Sequence, residues 1–418
     1  MLRYFGLLAA GLVLAIPAAA RDLTLAEAES LLARNNRELQ AARRNIESAE
    51  AQGLIAGARP NATFSVNSSA ISSNPGVGSG PLNQKRMDTV FRIDQPFERG
   101  GKRELRLDAA SALQRVAQNE ALDMLRQQLT VLAGAYFDLK LAQEKVVALG
   151  ESAELYSGTL NAARIRLKAG DLAPADVAKV QVDYERAQNE ARAARAELAR
   201  NQIALAYVIG RDAEAESLRA IDTWPAAMRT DAATLEQAIE SRPDVLAAKA
   251  RVEAAEKLRD LARAQRTRDF TLGAQYERYA GSLPADSVGF GVAVPLFTGY
   301  DFSGDIQKAE VDRYSALDAL ARARAVAGNE LRRAAGELDA AAERVERFDT
   351  SLLGAANQSA QAAEFAFQRG ATSVLEVLDA RRTLRAVRIE ALVARSDYAK
   401  ALAAWRAAQS TAEALGGK

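Results

Sequence analysis

The sequence predicts a mostly α-helical fold with a small β part, in which one helix–strand–strand–helix–helix plan occurs twice. Three observations predict it: a composition typical of long helices, sustained heptad spacing of apolar residues, and turn residues that recur at a nearly constant offset. Aromatic residues make up 6% of the 418 residues and prolines number 10, so long stretches are free of helix breakers. We expect structural repeats at 21–222 and 223–418, after a removable segment at 1–20.

The composition excludes several classes of chemistry. The chain has no cysteine and no histidine, so it has no disulfide, no thiolate zinc site and no Ser-His-Asp or Cys-His arrangement. We therefore expect no cofactor, no resident metal and no enzyme activity. The 55 basic residues balance the 54 acidic ones, so the chain lacks the excess of positive charge that is typical of nucleic-acid-binding proteins.

The first twenty residues have the pattern of a secretory signal peptide. Arg3 supplies the positive n-region, 7–16 the apolar h-region, and 18–20 an A-x-A cleavage site. An uncleaved hydrophobic anchor is the alternative, disfavoured because the apolar run is short and ends at Pro17. Beyond residue 20 no stretch approaches the roughly 18 apolar residues of a membrane helix. The mature chain is therefore expected to be either soluble beyond the inner membrane or part of an outer-membrane β-barrel.

Internal similarity indicates a tandem duplication. Residues 36–67 laid on 242–273 match repeatedly without a gap, and later matches follow at offsets of 199 and 200. Turn residues recur in the same order as pairs: Pro96 and Pro295, Gly100 and Gly299, Gly170 and Gly370. Alanine-rich helices produce chance identities, but chance does not explain this recurring order. We place the join around 211–231, where Trp224-Pro225 interrupts the helical pattern.

The predicted helices are long and carry heptads. Apolar residues step by three and four in the first half at Leu122, Leu125, Leu129, Leu132, Tyr136 and Leu139. Such spacing predicts coiled-coil packing. A long helix beside two shorter helices of about the same summed length is expected to form the wall of a long α-helical barrel. A membrane-surface helix is the alternative, disfavoured because no face is rich enough in Trp, Phe or Leu. The helices are expected at 23–57, 102–169, 174–209, 232–267, 304–369 and 374–409.

Four segments alternate between apolar and polar or small residues, the period of a β-strand. They are expected at 61–71, 88–97, 269–280 and 287–297, with a surface loop at 74–80. Transmembrane strands of about ten residues show this pattern, and so do half-buried soluble sheets. Four strands cannot close a barrel with a lumen, and open sheet edges are not tolerated in lipid. Several copies of the chain are therefore expected to share one barrel.

Three segments carry a family resemblance: the most specific is 370–380 (GATSVLEVLDA), supported by 238–244 (AIESRPD) and 294–299 (VPLFTG). With the duplicated plan, they resemble the TolC family of outer-membrane export ducts, over essentially the whole mature chain. The resemblance implies a homotrimer whose three sets of four strands form a 12-stranded barrel above a periplasmic helical tunnel. Such trimers dock onto an inner-membrane pump through a periplasmic adaptor protein. The segment 95–103 is similar to the branch serving cobalt–zinc–cadmium resistance pumps, many of whose members carry a lipid-bearing cysteine that this chain lacks.

The resemblance assigns a role to two acidic residues. Glu376 and Asp379 share a helix face and match the family's acidic constriction, where three copies surround the channel axis. That face is expected to lie opposite an apolar stripe of Val374, Val377 and Leu378. Six carboxylates near one axis would favour cations. The alternative is a solvated face, with Asp379 bridged to Arg382.

Asp176 is the repeat equivalent of Glu376. It matches an acidic position that, in the family, links the tips of the helical hairpins in the closed state. The usual hydroxyl-bearing aromatic partner is Phe367 here, and the usual basic position holds Thr372. The closing links are therefore expected to differ or to be weaker.

Three basic residues open the helix expected at 102–169, where positive charge opposes the helix dipole: Lys102, Arg103 and Arg106. Two interpretations of these residues are equally supported: they contact anionic lipid headgroups, or they are part of the solvated surface.

The sequence thus predicts the outer-membrane channel component of a tripartite efflux or secretion system, a passive conduit for heavy-metal cations or drugs. The alternative, from a different class, is a periplasmic coiled-coil adaptor or structural protein. An adaptor is expected to carry one helical hairpin inserted into β-rich domains, whereas here two hairpin-bearing halves occur. A lumen without histidine or cysteine binds transition metals poorly, so metal selection is expected to rest with the inner-membrane partner.

Overall fold

The computed structural model describes residues 21–69, 88–228, 235–279 and 285–416. The predicted signal peptide and the predicted loop at 74–80 lie outside the described residues. Among the described helices, none combines the length and the apolarity needed to cross a membrane. The described residues fall into two compact units. The first comprises 21–39, 125–228 and 330–409, and the second comprises 40–69, 88–124, 235–279, 285–329 and 410–416.

The helices and strands follow the predicted order. The helices are α1 (Leu25–Asn35), α2 (Arg37–Gly57), α3 (Lys102–Ala169), α4 (Pro174–Val208), α5 (Leu235–Glu240), α6 (Pro243–Ala264), α7 (Ser303–Arg347), α8 (Leu353–Gln368), α9 (Val374–Ala408) and α10 (Ala412–Gly416). The strands are β1 (Arg21–Leu23), β2 (Thr63–Ser69), β3 (Asp88–Phe97), β4 (Leu218–Ala220), β5 (Phe270–Tyr279) and β6 (Ala285–Ala293). Helix, two strands, long helix and helix occur twice, which confirms the predicted plan. The repeat boundaries stay a prediction.

The helix expected at 23–57 is interrupted at Asn36. Its backbone is extended, with ψ of 129°, and its side-chain Oδ1 accepts hydrogen bonds from the amides of Glu38 (3.0 Å) and Leu39 (3.1 Å). Asparagine side chains satisfy the free amides at a helix start in this way. The helix expected at 232–267 is also divided, at Arg242, because the residue before a proline disfavours the helical conformation.

A π-helical turn at Phe348–Leu352 separates α7 from α8, where a continuous α-helix was expected at 304–369. Two hydroxyls within the turn donate to carbonyls four residues back: Thr350 to Glu346 (2.7 Å) and Ser351 to Arg347 (3.0 Å). Such side-chain bonds compete with the helical ladder and locally distort it.

The second unit contains a four-stranded antiparallel sheet in the order β2-β3-β5-β6. Phe64 lies opposite Ile93, Ile93 opposite Ala274, and Ala274 opposite Phe290. The last strand ends at Ala293, earlier than the predicted 297, since proline at 295 has no amide to donate to the ladder. The middle of the sheet thus joins one strand of each repeat.

The first unit contains a parallel pairing of β1 with β4, which no sequence pattern predicted. Beside it, the buried hydroxyl of Tyr136 lies 2.9 Å from both the carbonyl oxygen of Leu23 and the carboxylate of Asp222, which share its one proton. Asp222 also accepts from the amide of Leu25 at 2.7 Å. The strand pair is therefore fixed to α3 by one tyrosine.

Buried heptad positions form the core of the first unit. Leu132, Tyr136 and Leu139 of α3 are fully buried, as is Leu331 of α7. This burial confirms the predicted coiled-coil packing. In the second unit Leu317 of α7, which belongs to a similar predicted heptad pattern in the second half of the sequence, remains 36% exposed.

Candidate functional site

The turn between α3 and α4 ends the first helical hairpin. Gly170 has φ of +86°, a conformation that favours glycine, and the following amide donates to the carbonyl of Arg166 at 2.9 Å. Pro174 then begins α4, as prolines often begin helices. Asp176 therefore lies in the first turn of α4, where its carboxylate accepts from Lys179 at 3.2 Å.

The turn between α8 and α9 is built in the same way, 200 residues later. Gly370 has φ of +73°, and the next amide donates to the carbonyl of Ala366 at 2.8 Å. Ser373 caps α9 by accepting from the amide of Glu376 at 3.4 Å. The Thr372 hydroxyl donates to the Glu376 carboxylate, and a carboxylate in the first turn also suits the helix dipole.

Helix α9 separates an acidic face from an apolar one, as the sequence predicted. Glu376 and Asp379 are exposed, whereas the apolar stripe is 3% exposed at most: Val374, Val377 and Leu378. Within the described part of the chain, no three acidic side chains converge as a metal site would require. The structure thus brings the two carboxylates to one exposed face, and their role at a constriction stays a prediction.

The bridge from Asp379 to Arg382, which was one part of the solvated-face alternative, is not formed. The Nη2 nitrogen of Arg382 instead donates to Asp183 of α4, at 2.7 and 2.6 Å from its two carboxylate oxygens. Asp183 is 4% exposed. This hydrogen bond raises the pKa of Arg382 above its usual value. The arginine therefore connects the two hairpins instead of neutralising the acidic face.

An apolar cluster packs the two hairpins together near their turns. It combines residues of α3, α4 and α9, with Phe367 of α8 at its margin: Tyr156, Leu160, Ala163, Val177, Val180, Ala187, Val374 and Leu378. The turn of each repeat is therefore held against the turn of the other within one chain.

Two arginine contacts near the turns were missed by sequence reasoning. Arg381 of α9 donates to the hydroxyl of Thr159 in α3 and to the carboxylate of Glu364 in α8. The guanidinium of Arg166 lies 4.2 Å from the centroid of the Phe367 ring, a cation–π contact. Phe367 was predicted to lack the usual hydroxyl link, and its ring provides a different one.

The sheet of the second unit has one apolar face and one polar face. The apolar face carries nine side chains that are each at least 39% exposed: Phe64, Val66, Phe91, Ile93, Leu272, Tyr276, Val288, Phe290 and Val292. The alternating positions are mostly polar residues and glycine, with Val90 an apolar exception: Thr63, Ser65, Asn67, Arg92, Asp94, Gly273, Gln275, Glu277, Gly289 and Gly291. An exposed apolar band of this size marks a surface that lies against another apolar phase or partner.

The basic residues that open α3 bond to neighbouring protein groups. Lys102 is 4% exposed, and its Nζ donates to the carboxylate of Asp269 and the carbonyl of Thr267, both at 2.9 Å. For Lys102, both predicted alternatives, headgroup contact and solvated surface, are therefore wrong, because an exposed ammonium would be needed for either.

The two arginines that follow bind the end of α2 and a nearby carboxylate. Arg103 donates to the carbonyl of Gly57 at 2.7 Å, where positive charge suits the carboxyl end of a helix. Arg106 donates to Glu98 at 2.9 Å. That hydrogen bond lowers the pKa of Glu98 below its usual value.

Paired helical hairpins in one unit, and in the other an antiparallel sheet with an exposed apolar face, are together typical of one class, the channel proteins of outer membranes. A family model described as "Outer membrane efflux protein" matches residues 29–211 and 234–409, and the chain belongs to this family. It is thus the outer-membrane channel component of an efflux system. The resemblance stated from the sequence is confirmed, and the adaptor alternative is wrong.

The chain is similar to known proteins over nearly its full length. It is 28% identical over 378 residues to the cobalt-zinc-cadmium resistance protein CzcC of Cupriavidus metallidurans, covering 90% of this chain and 87% of that protein. A membrane protein from Pseudomonas aeruginosa has a similar fold, with a TM-score of 0.78 at 19% identity, over 92% and 93% of the two chains. The outer membrane protein VceC of Vibrio cholerae gives a TM-score of 0.76 at 20% identity, over 93% and 96%.

Proposed function

We propose that three copies of this chain form a 12-stranded barrel, three sets of the four-stranded sheet, continued by a periplasmic tunnel of helices. The assembly is a passive conduit from the periplasm to the exterior and has no catalytic chemistry of its own. The observation that carries this proposal is the sheet with one exposed apolar face and one polar face. Apolar residues facing lipid and polar residues facing a lumen alternate in this way in outer-membrane barrels.

The edges of the sheet support assembly from several copies. Within the described residues, β2 pairs only with β3, and β6 pairs only with β5. Unpaired edges are not tolerated in the hydrocarbon region, since their amides and carbonyls lack partners there. Pairing β2 of one copy with β6 of the next satisfies both edges and closes a ring. The two repeats, 21–222 and 223–418, then each supply one strand hairpin and one helical hairpin.

The narrow end of the tunnel lies at the turns of the two helical hairpins in this proposal. Glu376 and Asp379 of three chains form its constriction, and Asp176 lies on the neighbouring hairpin of the same chain. The exposure of the first two carboxylates and the buried apolar stripe beneath them support this role. Fixed carboxylates around a narrow axis favour the passage and binding of cations.

The partners and the cargo follow from the family and from similarity. We propose that the trimer receives its cargo from an inner-membrane pump through a periplasmic adaptor protein. The similarity to a cobalt–zinc–cadmium resistance protein supports heavy-metal cations as cargo, and drugs are the second class. Because the chain has no histidine or cysteine, the conduit binds transition metals weakly. Weak binding lets metal cations pass through the conduit without being retained.

Single introduced cysteines test the barrel, because the chain has no native cysteine that could react. We choose Asn67→Cys on the polar face and Val66→Cys on the apolar face of β2. In planar bilayers, a charged thiol reagent that does not cross membranes should block current through Asn67→Cys trimers and leave Val66→Cys currents unchanged. Equal reaction at both sites, or a monomer that stays soluble in detergent-free buffer, contradicts the proposal.

A further inference from the structure

Arg92 lies along the polar face of the sheet, held by side chains on its own strand and on the next. Its Nε donates to Asp94 at 2.7 Å, and its Nη1 donates to Gln275 of β5 at 2.9 Å. The side chains of Arg92 and Asp94 are 32% and 26% exposed. The guanidinium thus occupies a fixed position on the sheet, with a carboxylate as its counter-charge.

A glycine beneath this ion pair makes the arrangement possible. At Gly273, a Cβ atom would lie 2.5 Å from Oδ1 of Asp94 and 2.6 Å from Nη2 of Arg92. Real Cβ atoms do not approach other atoms so closely, so any larger residue would displace the pair. At Gly291, the cross-strand partner of Gly273, the nearest atom to a Cβ is Nη2 of Arg92 at 3.7 Å, an ordinary contact.

The network extends beyond the arginine and has one further acidic member. The side-chain nitrogen of Gln275 donates to Glu277 at 2.6 Å, and the hydroxyl of Ser287 donates to the same carboxylate at 3.4 Å. Gln275 therefore stands between the ion pair and the carboxylate of Glu277, accepting from one and donating to the other. Its amide orientation is fixed by these two contacts.

We propose that the Arg92–Asp94 pair, seated on Gly273, is a specificity-determining element of the channel wall. It keeps the arginine flat and paired with Asp94, so that the lumen at this level stays wide and the pair adds no net charge to it. This inference rests on the proposed function, in which the polar face lines the lumen. An arginine released from the wall would project into the lumen, and three copies would make a positive ring that repels cations and attracts anions. The element therefore keeps a cation pathway open.

The matched pair Gly273→Ala and Gly291→Ala tests the inference in planar-bilayer recordings. Both changes add one methyl group to the polar face, at positions paired across two strands. We expect Gly273→Ala to lose single-channel conductance and to shift the reversal potential in a salt gradient toward anions. Gly291→Ala should keep wild-type values. Equal conductance and equal selectivity in the two variants would overturn the inference.

Removing the arginine provides a second arm that does not depend on Gly273→Ala assembling. Arg92→Gln leaves Asp94 without its counter-charge, so the reversal potential should shift toward cations with no loss of conductance. Combining Gly273→Ala with Arg92→Gln should restore conductance, because the displaced group is shorter and neutral. An unshifted reversal potential in Arg92→Gln overturns the inference. Wild-type protein that passes no current, or no block at Asn67→Cys, contradicts the proposed barrel and this inference together.

Discussion

Arg382 of α9 and Asp183 of α4 form an ion pair between the two helical hairpins, with Nη2 within 2.7 Å of both carboxylate oxygens. The partners are unequally placed: the Asp183 side chain is 4% exposed and that of Arg382 is 48% exposed. A buried carboxylate is costly unless a charged group bonds to it. The arginine therefore makes an acidic residue tolerable inside an apolar seam, and it links one repeat to the other.

Truncating this arginine should destabilise the hairpins more than truncating a nearby exposed one. Arg382→Ala leaves the Asp183 carboxylate without its donor, at a cost of about 1–3 kcal/mol, and the melting temperature in detergent should fall. Arg388→Ala is the control, since Arg388 bonds only an exposed amide, that of Asn357, at 3.1 Å. Adding Asp183→Ala to Arg382→Ala should recover part of the loss. Equal melting temperatures for the two single variants would show that the pair contributes nothing.

Neutralising the acidic face of α9 should change ion selectivity without changing packing. Glu376→Gln combined with Asp379→Asn removes the proposed ring of carboxylates, so cation selectivity should fall in planar-bilayer recordings. Block by multivalent cations should need higher concentrations. Packing should persist because both side chains are exposed, whereas Val377 beneath them is 1% exposed.

The control for this face is Glu343→Gln combined with Glu346→Gln, an acidic pair on α7 with the same spacing. We expect it to leave selectivity and cation block nearly unchanged. If the double variant of Glu376 and Asp379 assembles and keeps wild-type selectivity and block, the two carboxylates are ordinary solvated surface.

A charge on the apolar face of the sheet should prevent membrane assembly. Phe290 is 86% exposed, and Phe290→Lys should cost about 2–4 kcal/mol if the residue faces the bilayer midplane. The yield of heat-modifiable trimer on gels measures the effect. Gly289→Lys, on the polar face one residue away, should lower the yield less, apart from crowding against Gln275. Equal losses at both positions would mean that neither face meets lipid.

Acid should weaken the second unit partly through Glu240. Its carboxylate accepts from Arg324 at 2.8 and 3.0 Å and from Lys249 at 2.7 Å, and these bonds lower its pKa from 4.5 to about 2. A carboxyl whose pKa is lower in the folded state stabilises the fold above its unfolded pKa. That contribution is lost as the pH falls from about 4.5 to about 2, and it is small because the group is half exposed.

The measurement is the melting temperature followed by circular dichroism between pH 6 and pH 2, for wild type and Glu240→Gln. The glutamine variant should be slightly less stable at neutral pH and should lose less stability on acidification. Two parallel curves would show that Glu240 does not contribute to the acid response.

Local sequence patterns predicted the helices and strands whose ends are set by neighbouring residues in the sequence. The bounds of α3 were predicted at 102–169 and observed at Lys102–Ala169, because glycines flank an uninterrupted heptad pattern. The pairing of β1 with β4 was missed, since each strand has three residues and no periodicity can be seen in so few. The division at Asn36 depends on a side-chain cap that the helical pattern conceals.

In the candidate site, only the relative positions of residues on the same helix could be predicted from the sequence. Glu376 and Asp379 are three residues apart on one helix, so their shared face followed from spacing. The bonds from Arg381 to Thr159 and from Arg382 to Asp183 join residues 222 and 199 positions apart, so they could be known only from the packing of the hairpins. One signal was available for Asp183: it continues the apolar stripe of Val177 and Val180 at helical spacing, and a charge there indicates a buried partner.

The two edges of the sheet are different strands, β2 and β6, and this difference has a consequence for how copies of the chain assemble. Joining β2 to β6 is a head-to-tail contact, and such contacts either close into a ring or continue as an open fibre. In the proposed trimer, closure after three copies requires each sheet to turn through about 120°, one third of a circle, and this curvature decides between a closed pore and an open polymer. A substitution that flattened the sheet would therefore favour open chains of copies, and so aggregation, over the closed ring.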